Sequence, residues 1–144
     1  MFYKRMNLQW FALVVPDDAE YRMLEILLNQ VPADDPRLKL YDNDLTPSEN
    51  TTYASITECE GHGYADYQVT GDSWGIATDA TGVTEASFPQ RNFVFTGAQG
   101  NVYGYFVTNN AGTGLLWVER FSDGPYNIPA GGGTIKVTPK IRLA

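Results

Sequence analysis

One histidine and one cysteine are the residues of this chain best suited to nucleophilic chemistry. His62 stands between two glycines, and Cys59 precedes it by three residues, with Glu58 and Glu60 on either side of the thiol. A Cys–His nucleophile needs a base within hydrogen-bond reach and usually a third group that orients the base. A structural zinc site needs four Cys or His ligands, which this chain does not have. The sequence therefore predicts an exposed turn at His62 rather than a catalytic or metal site.

A loop of acidic residues is the second candidate site, because carboxylates are the oxygen ligands that calcium prefers. Asp42, Asp44 and Glu49 lie close together in the sequence. An EF-hand loop would require glycine where this chain has Pro47 and a carboxylate where it has Tyr53. We interpret the loop as an Asx turn with solvated charges, with a weak calcium site as the alternative.

Two glycine runs superficially resemble phosphate-binding loops. A phosphate loop needs a following helix whose N-terminus faces the anion, but strands are predicted after both Gly112–Gly114 and Gly131–Gly133. The glycines therefore indicate β-turns. With no complete set of catalytic, cofactor or metal residues, the sequence predicts a protein that is not an enzyme and needs no cofactor.

The segment from Val102 to Val107 is apolar on both sides of a predicted strand. Tyr103 and Tyr105 share one face and alternate with Val102, Gly104 and Phe106. Such a strand must be covered on both faces, by the predicted helix or by a partner chain. Exposed aromatic side chains could instead stack on sugar rings, so a carbohydrate-binding module stays an alternative.

One helix is predicted over residues 17–31. Asp17 with Glu20 three residues later indicates an acidic capping box, and Pro32 ends the pattern. An apolar stripe follows the helical period at Met23, Leu24, Leu27, Leu28 and Val31. We expect this stripe to be buried against the body of the protein or against another copy.

From residue 37 onward the hydrophobic pattern has the period of strands. The predicted strands span residues 38–41, 54–60, 64–70, 85–89, 91–96, 102–108, 115–121 and 135–143. Short strands at regular spacing predict a mainly β fold, an antiparallel two-sheet sandwich of jelly-roll or immunoglobulin-like type with one short N-terminal α-helix. We expect an N-terminal arm and lead-in over residues 1–15 and a single domain over residues 16–144, with the sandwich over residues 37–144.

The last predicted strand carries a basic stripe of Lys136, Lys140 and Arg142, opposite an apolar face. Pro139 lies on the apolar side and predicts an edge strand, a bulge or a bend. The basic stripe would keep an edge strand from pairing with other chains or would dock on an acidic surface. The terminal Lys4 and Arg5, and Trp10 after them, belong to the predicted arm, for which a frayed end and an arm bound to a neighbouring subunit are both open.

Composition limits the partners of this 144-residue chain. Its net charge of −7 argues against binding to nucleic acid or to anionic membranes. A single cysteine excludes an intramolecular disulfide. We recognise neither a signal peptide nor a membrane span, so we expect synthesis and folding in a cytoplasm.

Several phrases of the sequence resemble a small structural protein of tailed-bacteriophage gene modules. They are Leu38–Tyr41, the C-terminal runs 101–108, 116–125 and 135–144, and the short capped helix near the start. The resemblance implies a β-sandwich on the capsid exterior of a virion, most plausibly a capsid decoration (cement) protein. A tail or fibre-attachment component is the alternative within the virion, and a carbohydrate- or receptor-binding module is the alternative outside it.

The implied partners are the major capsid protein and copies of this chain, for example as a trimer, with no nucleic acid and no membrane. The candidate interface residues are Lys4, Arg5, Trp10, Tyr103, Tyr105, Lys136, Lys140 and Arg142.

Overall fold

A computed structural model describes residues 13–143 of the chain. In chain order the elements are β1 (Leu13–Val14), α1 (Asp17–Leu27), β2 (Arg37–Tyr41), β3 (Tyr67–Gln68), β4 (Gly75–Thr78), β5 (Thr84–Ser87), β6 (Arg91–Phe95), β7 (Gly100–Val102), β8 (Gly104–Thr108), β9 (Leu115–Arg120), β10 (Tyr126–Ile128), β11 (Gly133–Val137) and β12 (Lys140–Leu143). Two short 3₁₀ turns lie at Tyr53–Ser55 and Gly71–Ser73. Within residues 13–143, no helix is long and apolar enough to cross a membrane.

The strands form four antiparallel sheets. The largest has five strands in the order β1-β9-β8-β2-β3, and a three-stranded sheet has the order β12-β5-β4. The pairs β10-β7 and β11-β6 complete the set. In the large sheet Val107 of β8 lies opposite Leu38 of β2 and Trp117 of β9. The prediction of a mainly β, antiparallel protein with one N-terminal helix is therefore confirmed.

Both faces of the five-stranded sheet are buried, because side chains of β8 alternate between two hydrophobic clusters. Tyr105 and Val107 belong to the larger cluster, which also contains residues of β2, β6, β9 and β11. Phe106 belongs to the smaller cluster, where Tyr53 and Ile56 pack against it. The strand is therefore covered on both faces, as predicted, but loop residues after β2 cover the second face. The expectation that the helix or a partner chain covers that face is wrong.

The helix is shorter than predicted and begins differently. It ends at Leu27 instead of residue 31, because Asn29 adopts a left-handed conformation (φ +56°) and Gln30 donates a backbone hydrogen bond to Glu25. Pro16 is the N-cap, so the predicted capping box of Asp17 and Glu20 does not form. The first turn is held by backbone N–H groups that donate to the Pro16 carbonyl.

Two predicted strands are largely irregular. Residues 54–60 begin within a 3₁₀ turn, and Glu58 alone makes a β-bridge, to Tyr41. Local hydrogen bonds between Ser55 and Thr52 compete here with strand pairing. The predicted strand over residues 64–70 is reduced to β3.

Two other predicted strands are each divided in two. The backbone of Tyr103 interrupts the strand predicted over residues 102–108, which becomes β7 and β8. Pro139 divides the last strand into β11, which pairs with β6, and β12, which pairs with β5. Pro139, predicted to mark an edge strand, a bulge or a bend, therefore lies at an interruption between two strands. Strands β1, β4 and β10 were not predicted, since each has only two to four residues.

Candidate interaction surface

The outward face of α1, together with its C-cap residue Leu28, exposes four large apolar side chains. The exposed fractions are 67% for Tyr21, 56% for Leu24, 78% for Leu27 and 64% for Leu28. With 100° per residue, these positions fall within one arc of about 120° along the helix. A continuous apolar stripe on one short helix differs from isolated exposed apolar side chains, and it indicates a contact surface. We call these four residues the α1 apolar face.

The opposite face of α1 attaches the helix to the body of the protein. Ala19 is completely buried, and Met23 packs against the larger hydrophobic cluster. The helix lies against β9, and the Asp17 N–H donates to the Glu49 carbonyl over 3.1 Å. These contacts fix the orientation of the α1 apolar face towards solvent.

Acidic residues lie at the N-terminal end of the same face. Asp17 and Glu20 are exposed and fall within the arc of the α1 apolar face. Four of the eleven helix residues are acidic, and Arg22 is the one basic residue, whose guanidinium lies 3.5 Å from Glu25. The surface is therefore apolar at one end and anionic at the other.

A cleft of about 390 Å³ lies beside the helix, between α1 and the loop that joins β8 to β9. Its walls are formed by Asp18, Tyr21, Arg22, Glu25, Tyr53, Asn109, Thr113, Gly114 and Leu115. The Asn109 side chain holds the loop in place, because its Oδ1 accepts the backbone N–H groups of Thr113 and Gly114. The cleft and the α1 apolar face share Tyr21.

The two charged side chains of β2, by contrast, both form ion pairs, and they share Asp66 as a partner. Arg37 makes two hydrogen bonds to Asp66, of 2.6 and 2.7 Å. The Lys39 ammonium lies 2.9 Å from Glu58 and 3.9 Å from Asp66, and the Tyr64 hydroxyl donates to Glu58 over 3.0 Å. The hydrogen bonds from Arg37 hold the pKa of Asp66 below its usual range. This network ties β2 to the segment between β2 and β3.

Cys59 and His62 lie in different environments. The Cys59 side chain is 1% exposed, and its burial raises the pKa of the thiol to about 12. The thiol is therefore protonated at neutral pH and is a poor nucleophile. His62 occupies an exposed turn with φ +49°, and the exposed turn predicted there is confirmed.

The acidic loop divides its carboxylates among different partners. Asp42 accepts a hydrogen bond from Gln99, and burial raises its pKa. Asp44 forms an ion pair of 2.7 Å with Arg120. Among residues 13–143, no group of three His, Cys, Asp or Glu side chains is placed to hold a metal ion.

The two tyrosines predicted at an interface have different positions. Tyr105 is 3% exposed and lies in the larger hydrophobic cluster, so residues of its own chain cover it. Tyr103 is half-buried beside the smaller cluster, with the Arg120 guanidinium 5.0 Å from its ring centre. The interruption between β7 and β8 directs the two rings to different clusters.

The predicted basic stripe is divided between two sheets. Lys136 is exposed on β11, opposite Asn92 of β6. Lys140 and Arg142 lie on β12, where both side chains bind Glu85 of β5, the lysine over 3.0 Å. Glu85 neutralises part of the charge that would dock on an acidic partner. Lys4, Arg5 and Trp10 lie outside the described residues.

Sequence reasoning left open whether the helix stripe is buried against the body of the protein or against another copy. Leu24, Leu27 and Leu28 were expected to be buried, and Tyr21 was not considered. A signal was present, because Ala19 and Met23 provide a second apolar side to the same helix. A helix that is apolar on two sides can bury only one of them against its own sheet.

Comparisons of this chain with protein-family models, with curated proteins and with solved structures gave no match.

Proposed function

We propose that this chain is a non-enzymatic structural protein of a tailed-phage virion that decorates the capsid exterior and stabilises the shell. The carrying observation is the α1 apolar face, where four large apolar side chains are exposed on one helix. A decoration protein functions by contact, so it needs such a surface on a firmly packed body. The phage resemblance of the sequence supports the capsid, and copies of the chain, as the partners.

The proposal includes a finer description of the fold, in which the sheets pack as a two-layer sandwich of jelly-roll or immunoglobulin-like type. The larger cluster supports it, since one core joins Leu40 and Trp117 of the five-stranded sheet to Phe93 and Ile135 of the β11-β6 pair. A core shared by two sets of strands is the arrangement expected of a sandwich.

The absence of catalysis is also part of the proposal. The protonated thiol of Cys59 supports it. The carboxylates of Glu58 and Asp66 support it too, because they accept hydrogen bonds from Lys39 and Arg37, respectively. None of these three groups is both exposed and free to exchange a proton with a substrate.

The direct test is the binding of the purified protein to assembled capsids of its phage that lack it. We expect co-sedimentation with capsids, and we expect particles without the protein to release their DNA at a lower temperature. A Leu24→Gln/Leu27→Gln variant should lose binding, whereas Ile76→Gln, which changes an exposed apolar residue on β4, should retain it. Equal heat resistance of particles with and without the protein would refute the decoration role, and imaging would then distinguish a tail location.

A carbohydrate- or receptor-binding module is the second candidate, and the cleft beside α1 favours it. Tyr21 and Tyr53 line this cleft together with Asp18, Arg22 and Asn109. Aromatic rings beside polar side chains are suited to sugars, which present apolar ring faces and hydroxyl groups. A glycan array followed by titration of Tyr53→Ala is the test. Binding that depends on Tyr53 would favour this function, and a uniformly negative array would exclude it.

A further inference from the structure

We propose that residues 1–12 of one copy dock on the α1 apolar face of a neighbouring copy, so that copies assemble through an exchanged segment. The inference deepens the proposed function, on which it rests, by naming the contact between copies: a neighbouring copy then occupies the α1 apolar face on the shell, and variants of this face lose capsid binding because they lose assembly. It concerns a face that no side chain of residues 13–143 covers, as the exposure of Leu24 and Leu27 shows.

The composition of residues 1–12 matches this face. Eight of the twelve residues are apolar (Met1, Phe2, Tyr3, Met6, Leu8, Trp10, Phe11 and Ala12), and the charged ones are Lys4 and Arg5. The apolar side chains would remove those of the α1 apolar face from water. An amphipathic segment that lies on an apolar helix face is a common mode of peptide recognition.

Charge decides between this segment and a second copy of α1 as the occupant. Two parallel α1 helices placed face to face would bring Asp17 and Glu20 of both copies near each other, and two antiparallel helices would place these carboxylates against the apolar end of the partner helix; both arrangements are unfavourable. Lys4 and Arg5 supply the opposite charge, without any acidic residue in the same segment. The acidic end of the face therefore favours the basic segment.

The direction of the chain favours a neighbour over the segment's own helix, because residues 1–12 and α1 are joined to opposite ends of β1. In β1, Leu13 lies opposite Glu119 and Val14 lies opposite Val118. The helix is joined to the Val14 end of this strand, whereas residues 1–12 are joined to the Leu13 end. Twelve residues reach at most about 40 Å, which is enough to cross to a neighbouring copy.

The test is sedimentation velocity of the full chain over a range of concentrations. We expect the wild type to form oligomers. The Leu24→Gln/Leu27→Gln and Trp10→Ser/Phe11→Ser variants should each dissociate at least about tenfold more readily, because each loses apolar contact. Ile76→Gln is the control for an exposed apolar residue outside the face and should not change the association. Circular dichroism checks that each variant folds.

A charge exchange makes the test specific for the two partners. Lys4→Glu/Arg5→Glu should weaken association, and adding Asp17→Lys/Glu20→Lys to that variant should restore it in part. A wild-type chain that stays monomeric, or folded variants of the face that associate normally, would overturn the inference. Capsid co-sedimentation of the same samples separates the two proposals. A monomer that binds capsids refutes only the exchange, and an oligomer that ignores capsids refutes only the decoration role.

Discussion

Strand β8 and helix α1 both lie against β9, but they differ in how much of their surface the rest of the chain covers. All five residues of β8 are buried, whereas Ala19 is the one fully buried residue of the helix. The strand has neighbours on both edges and both faces, while the helix has the sheet on one side. We infer that β8 carries stability, and that α1 offers a surface whose changes alter contacts more than folding.

The largest effect should come from Gly104→Ala, at the start of β8. A methyl group at this position would overlap the Glu119 carbonyl oxygen and lie 2.6 Å from the Tyr41 ring and hydroxyl. The buried surroundings cannot move easily, so we expect the free energy of unfolding to fall by about 3 kcal/mol. Gly131→Ala is the control, since no atom lies within 4 Å of the added carbon. Urea unfolding measures both, and equal losses would contradict the rigid packing of β8.

Next in size is the removal of Lys39, on β2 beside β8. Its ammonium lies between Glu58 and Asp66 with a side chain that is 11% exposed. Lys39→Met would leave these carboxylates without that cation, and we expect a loss of about 2 kcal/mol. Lys140→Met is the matched change in the exposed pair with Glu85, where the lysine is 50% exposed. We expect less than about 0.5 kcal/mol there. A loss as large at Lys140 would remove the distinction between buried and exposed pairs.

The same network predicts a pH dependence. The hydrogen bonds from Arg37 lower the pKa of Asp66 in the folded state. Its contribution to stability is therefore complete above the unfolded pKa of about 3.9 and is lost as the pH falls through the lower folded value. Asp66→Asn should cost about 1 kcal/mol at neutral pH, and the difference from wild type should shrink below pH ~4. Unfolding curves at several pH values test this, and a difference that is constant in acid would contradict the assignment.

The sequence predicted strands β6 and β11 better than the surface of α1, for a physical reason. In β6 and β11 buried and exposed residues alternate, as with Phe93 and Val94, and the period of two is directly visible. Strand β4 has no such period, because all of its residues are exposed. Helical periodicity identified Leu24 and Leu27 as one stripe, but it does not state which apolar side faces the sheet.

The division at Tyr103 and the loop after β2 depended on tertiary contacts that no local pattern contains. The period of two placed Tyr103 and Tyr105 on one face, whereas the strand is interrupted at Tyr103 and the two rings join different clusters. Residues 54–60 read as a strand by composition, but Ser55 satisfies local backbone groups instead. These are positions where the predicted strands had to be revised.

The smallest effect on folding should come from the outward face of α1. Leu27 is 78% exposed, so Leu27→Ala removes little buried area, and alanine favours the helix. We expect a change of less than about 0.5 kcal/mol in the free energy of unfolding. Met23→Ala, on the side that packs against the larger cluster, should cost about 1–2 kcal/mol because it leaves a partial cavity. Urea unfolding at a protein concentration where the chain is monomeric separates folding from association. If Leu27→Ala destabilises that monomer as much as Met23→Ala, the α1 apolar face is covered within its own chain, and its role as a surface for a neighbour fails.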